Sequence, residues 1–153
     1  MVIAVIVTVF PGGSSAIMIH GVGVDLVEKD RVKRALERFG ERFARRVLTD
    51  REWHFCQSKG DSIGSVAARI AAKESVFKAF GTGWAKGVGW KDVEVVNDSQ
   101  GRPVVRLYGK ASHLAEGYRL HVSISHERSS AVAFAVMEKR DTRNKKQETG
   151  LKE

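Results

Sequence analysis

The chain has 153 residues, a length that suits one domain around one core. Its 42% apolar and 29% charged content is that of an ordinary globular protein, and its single cysteine, Cys56, excludes a disulfide framework and a cysteine-built zinc site. The net charge of +8 implies an acidic partner: nucleic acid, an anionic membrane, an acidic protein or a phosphorylated ligand.

Residues 1–17 carry no charge. Their apolar run, Val2 to Phe10, is far shorter than the roughly 20 residues of a membrane helix. They also lack the basic start of a secretory signal. Met18 reads as a natural start, so the segment is expected to be an upstream extension or a dispensable strand joined by Pro11-Gly12-Gly13-Ser14-Ser15.

Ile19–Leu26 alternates as a strand. One face holds His20, Val22, Val24 and Leu26; the other holds Ile19, Gly21, Gly23 and Asp25. Asp25 either caps the helix that follows or stands beside a ligand, where the two glycines leave room. Residues 28–39 are helical, with Val32, Ala35, Leu36 and Phe39 inward. The period resumes after Gly40 at Phe43 and Val47. Residues 29–51 hold nine Lys/Arg against four acids, a net +5. Arg31, Arg34, Arg38, Arg42 and Arg45 recur at helical steps, a pattern suited to binding carboxylates or phosphates. Gly40 either interrupts that ridge or lets it continue.

Thr49-Asp50-Arg51-Glu52 is a capping box that starts a short helix to about Ser58. Cys56 is expected half-buried on it. Asp61 or Ser62 caps a long helix that runs to Phe80 and stops at Gly81. Ile63, Ala67, Ile70 and Phe77 form its apolar stripe, and Glu74 lies within that stripe. An inward carboxylate is costly unless paired or metal-bound. Arg69, Lys73 and Lys78 flank it, and this mix suits a metal-bound phosphate or pyrophosphate. The competing reading is an ordinary surface pair, Glu74 with Lys78, on a solvated face. The glycine-rich run Gly81–Gly89 either wraps a ligand with backbone N–H groups or is only a connection; it follows a helix and lacks the lysine-serine/threonine ending of a P-loop.

Asp92–Asn97 and Pro103–Tyr108 form a hairpin around Asp98-Ser99-Gln100-Gly101. Lys110–Glu116 is a short helix ended by Gly117. In Arg119–His126, Leu120, Val122 and Ile124 share one face, and His121, Ser123 and Ser125 share the other. That polar face is expected to line a cleft. Ala131–Val136 is continuously apolar, as in a central strand covered on both sides. Residues 139–153 form a charged tail.

Three segments together resemble the holo-acyl carrier protein synthase family of 4′-phosphopantetheinyl transferases. They are Gly21-Val22-Gly23-Val24-Asp25-Leu26-Val27-Glu28, Arg69-Ile70-Ala71-Ala72-Lys73-Glu74-Ser75 with Lys78-Ala79-Phe80-Gly81-Thr82-Gly83, and His121-Val122-Ser123-Ile124-Ser125-His126. Phe43-Ala44-Arg45-Arg46-Val47-Leu48-Thr49 also fits. Ile70 and Ser75 stand where the signature more often has other small or apolar residues. The resemblance spans 18–138, taken as the single domain.

The resemblance implies an α+β fold, an antiparallel sheet packed against one long helix and several short helices. It implies transfer of the phosphopantetheine arm of coenzyme A to a serine of apo-acyl carrier protein, releasing adenosine 3′,5′-bisphosphate, in fatty acid biosynthesis. It makes Asp25 and Glu74 the Mg²⁺ ligands. Lys73 and Lys78 hold phosphates, and Arg69 and His121 hold other coenzyme A phosphates or orient the ligand, with Gly81 and Gly83 in the binding turn. Glu74, Lys78 and His121 are the catalytic candidates; Glu74 or a metal-bound water is the general base. Arg31, Arg42 and Arg46 meet an acidic carrier protein. The family is trimeric and cytoplasmic, with sites between subunits. The alternative, a basic nucleic-acid-binding module, leaves Asp25 and Glu74 without a role and has no recognisable motif.

Overall fold

The computed structural model describes residues 18–81 and 87–140. The 1–17 segment, Gly83 and residues 141–153 of the tail lie outside them.

The order is β1 (Ile19–Glu28), α1 (Lys29–Phe39), α2 (Glu41–Val47), α3 (Asp50–Gln57), α4 (Ser62–Ala79), a 3₁₀ turn (Trp90–Asp92), β2 (Val93–Asn97), β3 (Pro103–Leu107), α5 (Gly109–Leu114), β4 (Tyr118–His126) and β5 (Ser130–Lys139). The fold is the expected α+β arrangement, with its strands in two antiparallel sheets. One is three-stranded, β1-β5-β4, and the other is the β2-β3 hairpin. Lys139 belongs to β5, so the tail begins later than its charge suggests.

Helix α4 is the axis of the molecule. Asp61 caps it, its Oδ1 accepting from Gly64 N at 2.7 Å. Its alanines let neighbours approach, and most of its circumference is covered. The inner face of the three-stranded sheet lies on one side of it, with Ala131, Ala133, Ala135 and Met137 buried. Strand β1 crosses closest. A Cβ on Gly23 would run into the Ser75 carbonyl, and one on Gly21 into that of Ala79. Both glycines are required by this backbone-on-backbone contact.

Gly40, at φ +58°, separates α1 from α2, so of the two readings of the arginine run the interrupted one holds. Three expectations need correction. Phe39, at that corner, is 48% exposed. Cys56 is fully buried. Strand β5 is central, yet only its inner face is covered. Val132 and Phe134 are exposed beside Val24 and Leu26 of β1, because α4 packs on one side of the sheet only.

Candidate active site

Asp25 lies on the inner face of β1, toward α4, and does not cap α1. The cap position is Glu28, without a side-chain bond. The Lys78 ammonium donates to Asp25 Oδ1 at 2.8 Å and to the Val24 carbonyl at 2.8 Å. Lys78 leans back along its helix, as helical side chains do, over the turn that carries Glu74. The glycine contacts above are what let β1 come close enough. Glu74 is half-buried, on the strip Ile63, Ile70, Glu74 and Lys78 that is the least covered side of α4. It is therefore not on the buried stripe that the apolar spacing implied. Asp25 and Lys78 are thus brought together at the edge strand β1, with Glu74 one helical turn before Lys78.

Lys73 is not there. It is fully buried, and its ammonium donates to the Val47 carbonyl at 2.8 Å, Glu52 Oε2 at 2.6 Å and the Trp90 carbonyl at 3.0 Å. Burial pulls its pKa below the ordinary lysine value, and the Glu52 carboxylate opposes that. Three donors meet three acceptors, so nothing remains for a phosphate. Its expected phosphate role is corrected to an interior one.

Arg69 and His121 are also elsewhere. Arg69 is two and a half turns before Lys78, about 13 Å along the axis. It donates to Asn97 Oδ1 at 2.6 Å and lies 4.2 Å over the Phe55 ring. Burial lowers its pKa. Its Nε is buried with no hydrogen-bond partner among the described residues, an unmet donor suited to an anion. His121 is exposed on the outer face of β4, with Nε2 3.0 Å from Glu138 Oε1. Strand β4 is two strands from β1, about 10 Å across the sheet. His121 and Asp25 also lie on opposite faces. A groove does run beside β4, but of the polar face only His121 and Ser123 line it, together with Leu120, Val122 and Ile124 of the other face. It follows the seam between β3 and β4, from Tyr118 past His121 to Arg69. Its two ends have cavities of about 810 and 400 Å³, the size of small-molecule sites.

Gly81 is exposed at φ +67°, closing α4 with its N–H on the Lys78 carbonyl at 2.9 Å. Arg31, Arg42 and Arg46 are exposed on α1 and α2. The sequence reading missed Glu52, Phe55, Asn97 and Trp90. Only Glu52 carried a signal, its place in the capping box.

The carboxylates fit a metal of one kind. No group of three or more His, Cys, Asp or Glu side chains that could hold an ion occurs among the described residues. Asp25 and Glu74, which lies a helical turn before the Lys78 that pairs with Asp25, are two carboxylates near the β1–α4 crossing. That suits Mg²⁺, which takes one or two carboxylates with substrate phosphates and water.

The pattern of the 4′-phosphopantetheinyl transferase superfamily matches residues 21–135. The chain belongs to this superfamily. Within it, the chain groups with the holo-acyl carrier protein synthases. It is 44% identical over 124 residues to the holo-[acyl-carrier-protein] synthase of Koribacter versatilis, covering 79% of this chain and 99% of that relative. Among solved structures, the Bacillus anthracis synthase in complex with CoA (3′,5′-ADP) superposes with a TM-score of 0.68 at 35% identity. It covers 82% of this chain and 100% of that one. The Neisseria meningitidis synthase gives a TM-score of 0.73 at 37% identity, covering 80% and 100%. This phosphopantetheinyl transferase is an enzyme, and the nucleic-acid reading of its basic charge finds no support among these relatives. No helix among the described residues is long and apolar enough to cross a membrane.

Proposed function

We propose that this enzyme transfers the 4′-phosphopantetheine group of coenzyme A to a serine of an apo-acyl carrier protein in the cytoplasm, with Mg²⁺, releasing adenosine 3′,5′-bisphosphate. The observation that carries the reading is the Lys78–Asp25 pair at the β1–α4 crossing, with Glu74 one turn away. Asp25 and Glu74 are the ligands for Mg²⁺, which when bound supplies charge neutralisation at the pyrophosphate. Lys78 exchanges Asp25 for a phosphate oxygen as the substrate enters. Glu74, or a water it orients, takes the proton of the attacking serine. The serine oxygen bonds to the β-phosphorus as the bond to the adenosine phosphate breaks.

One chain carries this cluster at the β1 edge and the Arg69–His121 groove at the β4 edge. A head-to-tail ring of three copies would set one chain's β1 edge beside the next chain's β4 groove. It would also cover Val24, Leu26, Val132 and Phe134. Arg69 Nε and His121 then serve coenzyme A phosphates. Gly81 and Gly83 supply the turn that follows Lys78. Arg31, Arg42 and Arg46 receive the acidic carrier, a contact that speeds association at low salt.

Mass spectrometry of an apo-carrier incubated with the enzyme, coenzyme A and Mg²⁺ tests the reaction. One added phosphopantetheine arm, lost with EDTA, is expected; no gain with any of several carriers overturns it. Mixing Asp25→Asn with Arg69→Met chains tests the shared site. Restored activity is expected, since some edges of the mixed ring are intact on both sides. A mixture as inactive as its parts would sink the ring.

A further inference from the structure

Among the described residues, the largest group of interior charges outside the proposed site surrounds Lys73. This lysine immediately precedes Glu74 on α4, yet it points the other way. Its acceptors come from three separate segments. Val47 is the last residue of α2, the helix that carries Arg42 and Arg46. Its carbonyl is one of those that a helix end leaves unmet. Trp90 opens the 3₁₀ turn after the glycine-rich segment that follows α4. Glu52 lies in the first turn of α3 and is itself fully committed. Its Oε2 also accepts from Thr49 N at 2.8 Å, and its Oε1 accepts from Val95 N of β2 at 2.8 Å. A second buried carboxylate extends the group. Glu94 accepts from Thr49 Oγ1 at 2.7 Å and from Tyr108 at 3.0 Å.

One ammonium therefore holds three elements against the helical turn of Glu74, and Glu52 ties a fourth, β2, to the same point. No water reaches it, and both members of the Lys73–Glu52 pair have fully buried side chains. Neither can leave without stranding the other's charge. An apolar side chain would pack in this interior as well. What it would not do is fix where three backbone segments stand relative to Glu74.

We infer that Lys73, with Glu52, is a positioning residue: it sets the carrier-facing helix α2 and the start of the 90–92 turn in register with Glu74. The inference rests on the proposed function and gives Lys73 a task distinct from binding phosphate. Lys78, five positions on, does not share it, because its partners lie on β1 alone.

The test uses the full-length enzyme with Lys73→Met and with the paired change Lys73→Met/Glu52→Gln, which leaves no stranded charge if the single variant fails to fold. Assays run well below each variant's melting temperature. Turnover is expected to fall about 10- to 100-fold. KM for coenzyme A should stay within about threefold, because no phosphate contact is lost. Amide hydrogen exchange in the free protein should quicken at 47–49 and 90–92. A large rise in KM for coenzyme A, with turnover and exchange unchanged, would make Lys73 a phosphate ligand and overturn the inference. A lower melting temperature with turnover and KM unchanged would reduce it to a core residue and also overturn it. Should the wild-type enzyme modify no carrier, the proposed function fails by itself. The exchange measurement still decides the positioning: unchanged exchange at both segments refutes it.

Discussion

Lys73 and Lys78 stand on the same helix, each bonded to a carboxylate, at 2.6 and 2.8 Å, but their surroundings differ in kind. The Lys73 region is sealed, and every donor there has a fixed acceptor from a different segment. The Lys78 region is an edge. Its side chain and that of Asp25 are 14% and 16% exposed, and its other partner is a carbonyl of the outermost strand. A charge in the first setting can only hold structure, since removing it from its partners means removing it from all solvation. A charge in the second can trade a carboxylate for a ligand. Exposure and the source of the acceptors separate the two lysines; residue type and helix position do not.

The largest effect that would break this contrast concerns stability. Lys73→Met strands the Glu52 charge in the interior and should cost about 3–5 kcal/mol. Lys78→Met leaves the Asp25 carboxylate at a margin that water can still reach and should cost less, about 1–3 kcal/mol. Urea denaturation of both variants checks this, and equal losses would erase the distinction. Next comes the crossing that brings Asp25 to Lys78. Gly23→Ala drives a methyl into the Ser75 carbonyl and should cost about 1–3 kcal/mol. Gly60→Ala, in open space, should shift the melting temperature little.

Cys56 sharpens the comparison from the sealed side. Burial, the leading cause, pushes its thiol from 9.0 up to about 11. The folded state therefore holds the proton that the unfolded state gives up. Its contribution is complete below pH 9, falls by up to about 1.4 kcal/mol per pH unit above that, and is lost by about pH 11. The stability difference between wild type and Cys56→Ala, followed by denaturation from pH 8 to 11, should narrow across that window. A constant difference would mean that the interior around Lys73 admits water. The smallest effect is at the exposed start of α4. The Lys29 hydrogen bond and then the Gly64 N–H hold Asp61 below the usual carboxylate range. Its stabilisation is therefore present above that range and disappears as pH falls through the depressed value. Asp61→Ala should cost about 1 kcal/mol at neutral pH and nothing in strong acid.

The elements that repeat locally were legible in the sequence. The capping box at Thr49–Glu52, the Asp61 cap, the hairpin turn at 98–101 and the two faces of β1 and β4 all depend on residues a few positions apart. The Asp25 glycine face was legible for the same reason, although its Lys78 partner lies 53 positions away. Lys73 was not. Its acceptors are two backbone carbonyls and a glutamate that already had a local use as a cap, and no side-chain pattern announces a carbonyl. The split between Asp25 and His121 was hidden too, because strand alternation assigns faces but says nothing of strand order. Ala131–Val136 misled by composition: an apolar run tells that both sides avoid water, not that one chain covers both.

That uncovered side has a kinetic consequence. In the proposed ring each chain alone owns two incomplete edges, so dilution disassembles the catalyst before it unfolds anything. Where single chains predominate, the active fraction follows mass action for three bodies, and specific activity should climb with the square of total enzyme concentration before levelling off. Valine, leucine and phenylalanine on the outer sheet would then set the threshold abundance below which a cell making this enzyme has protein but no catalyst.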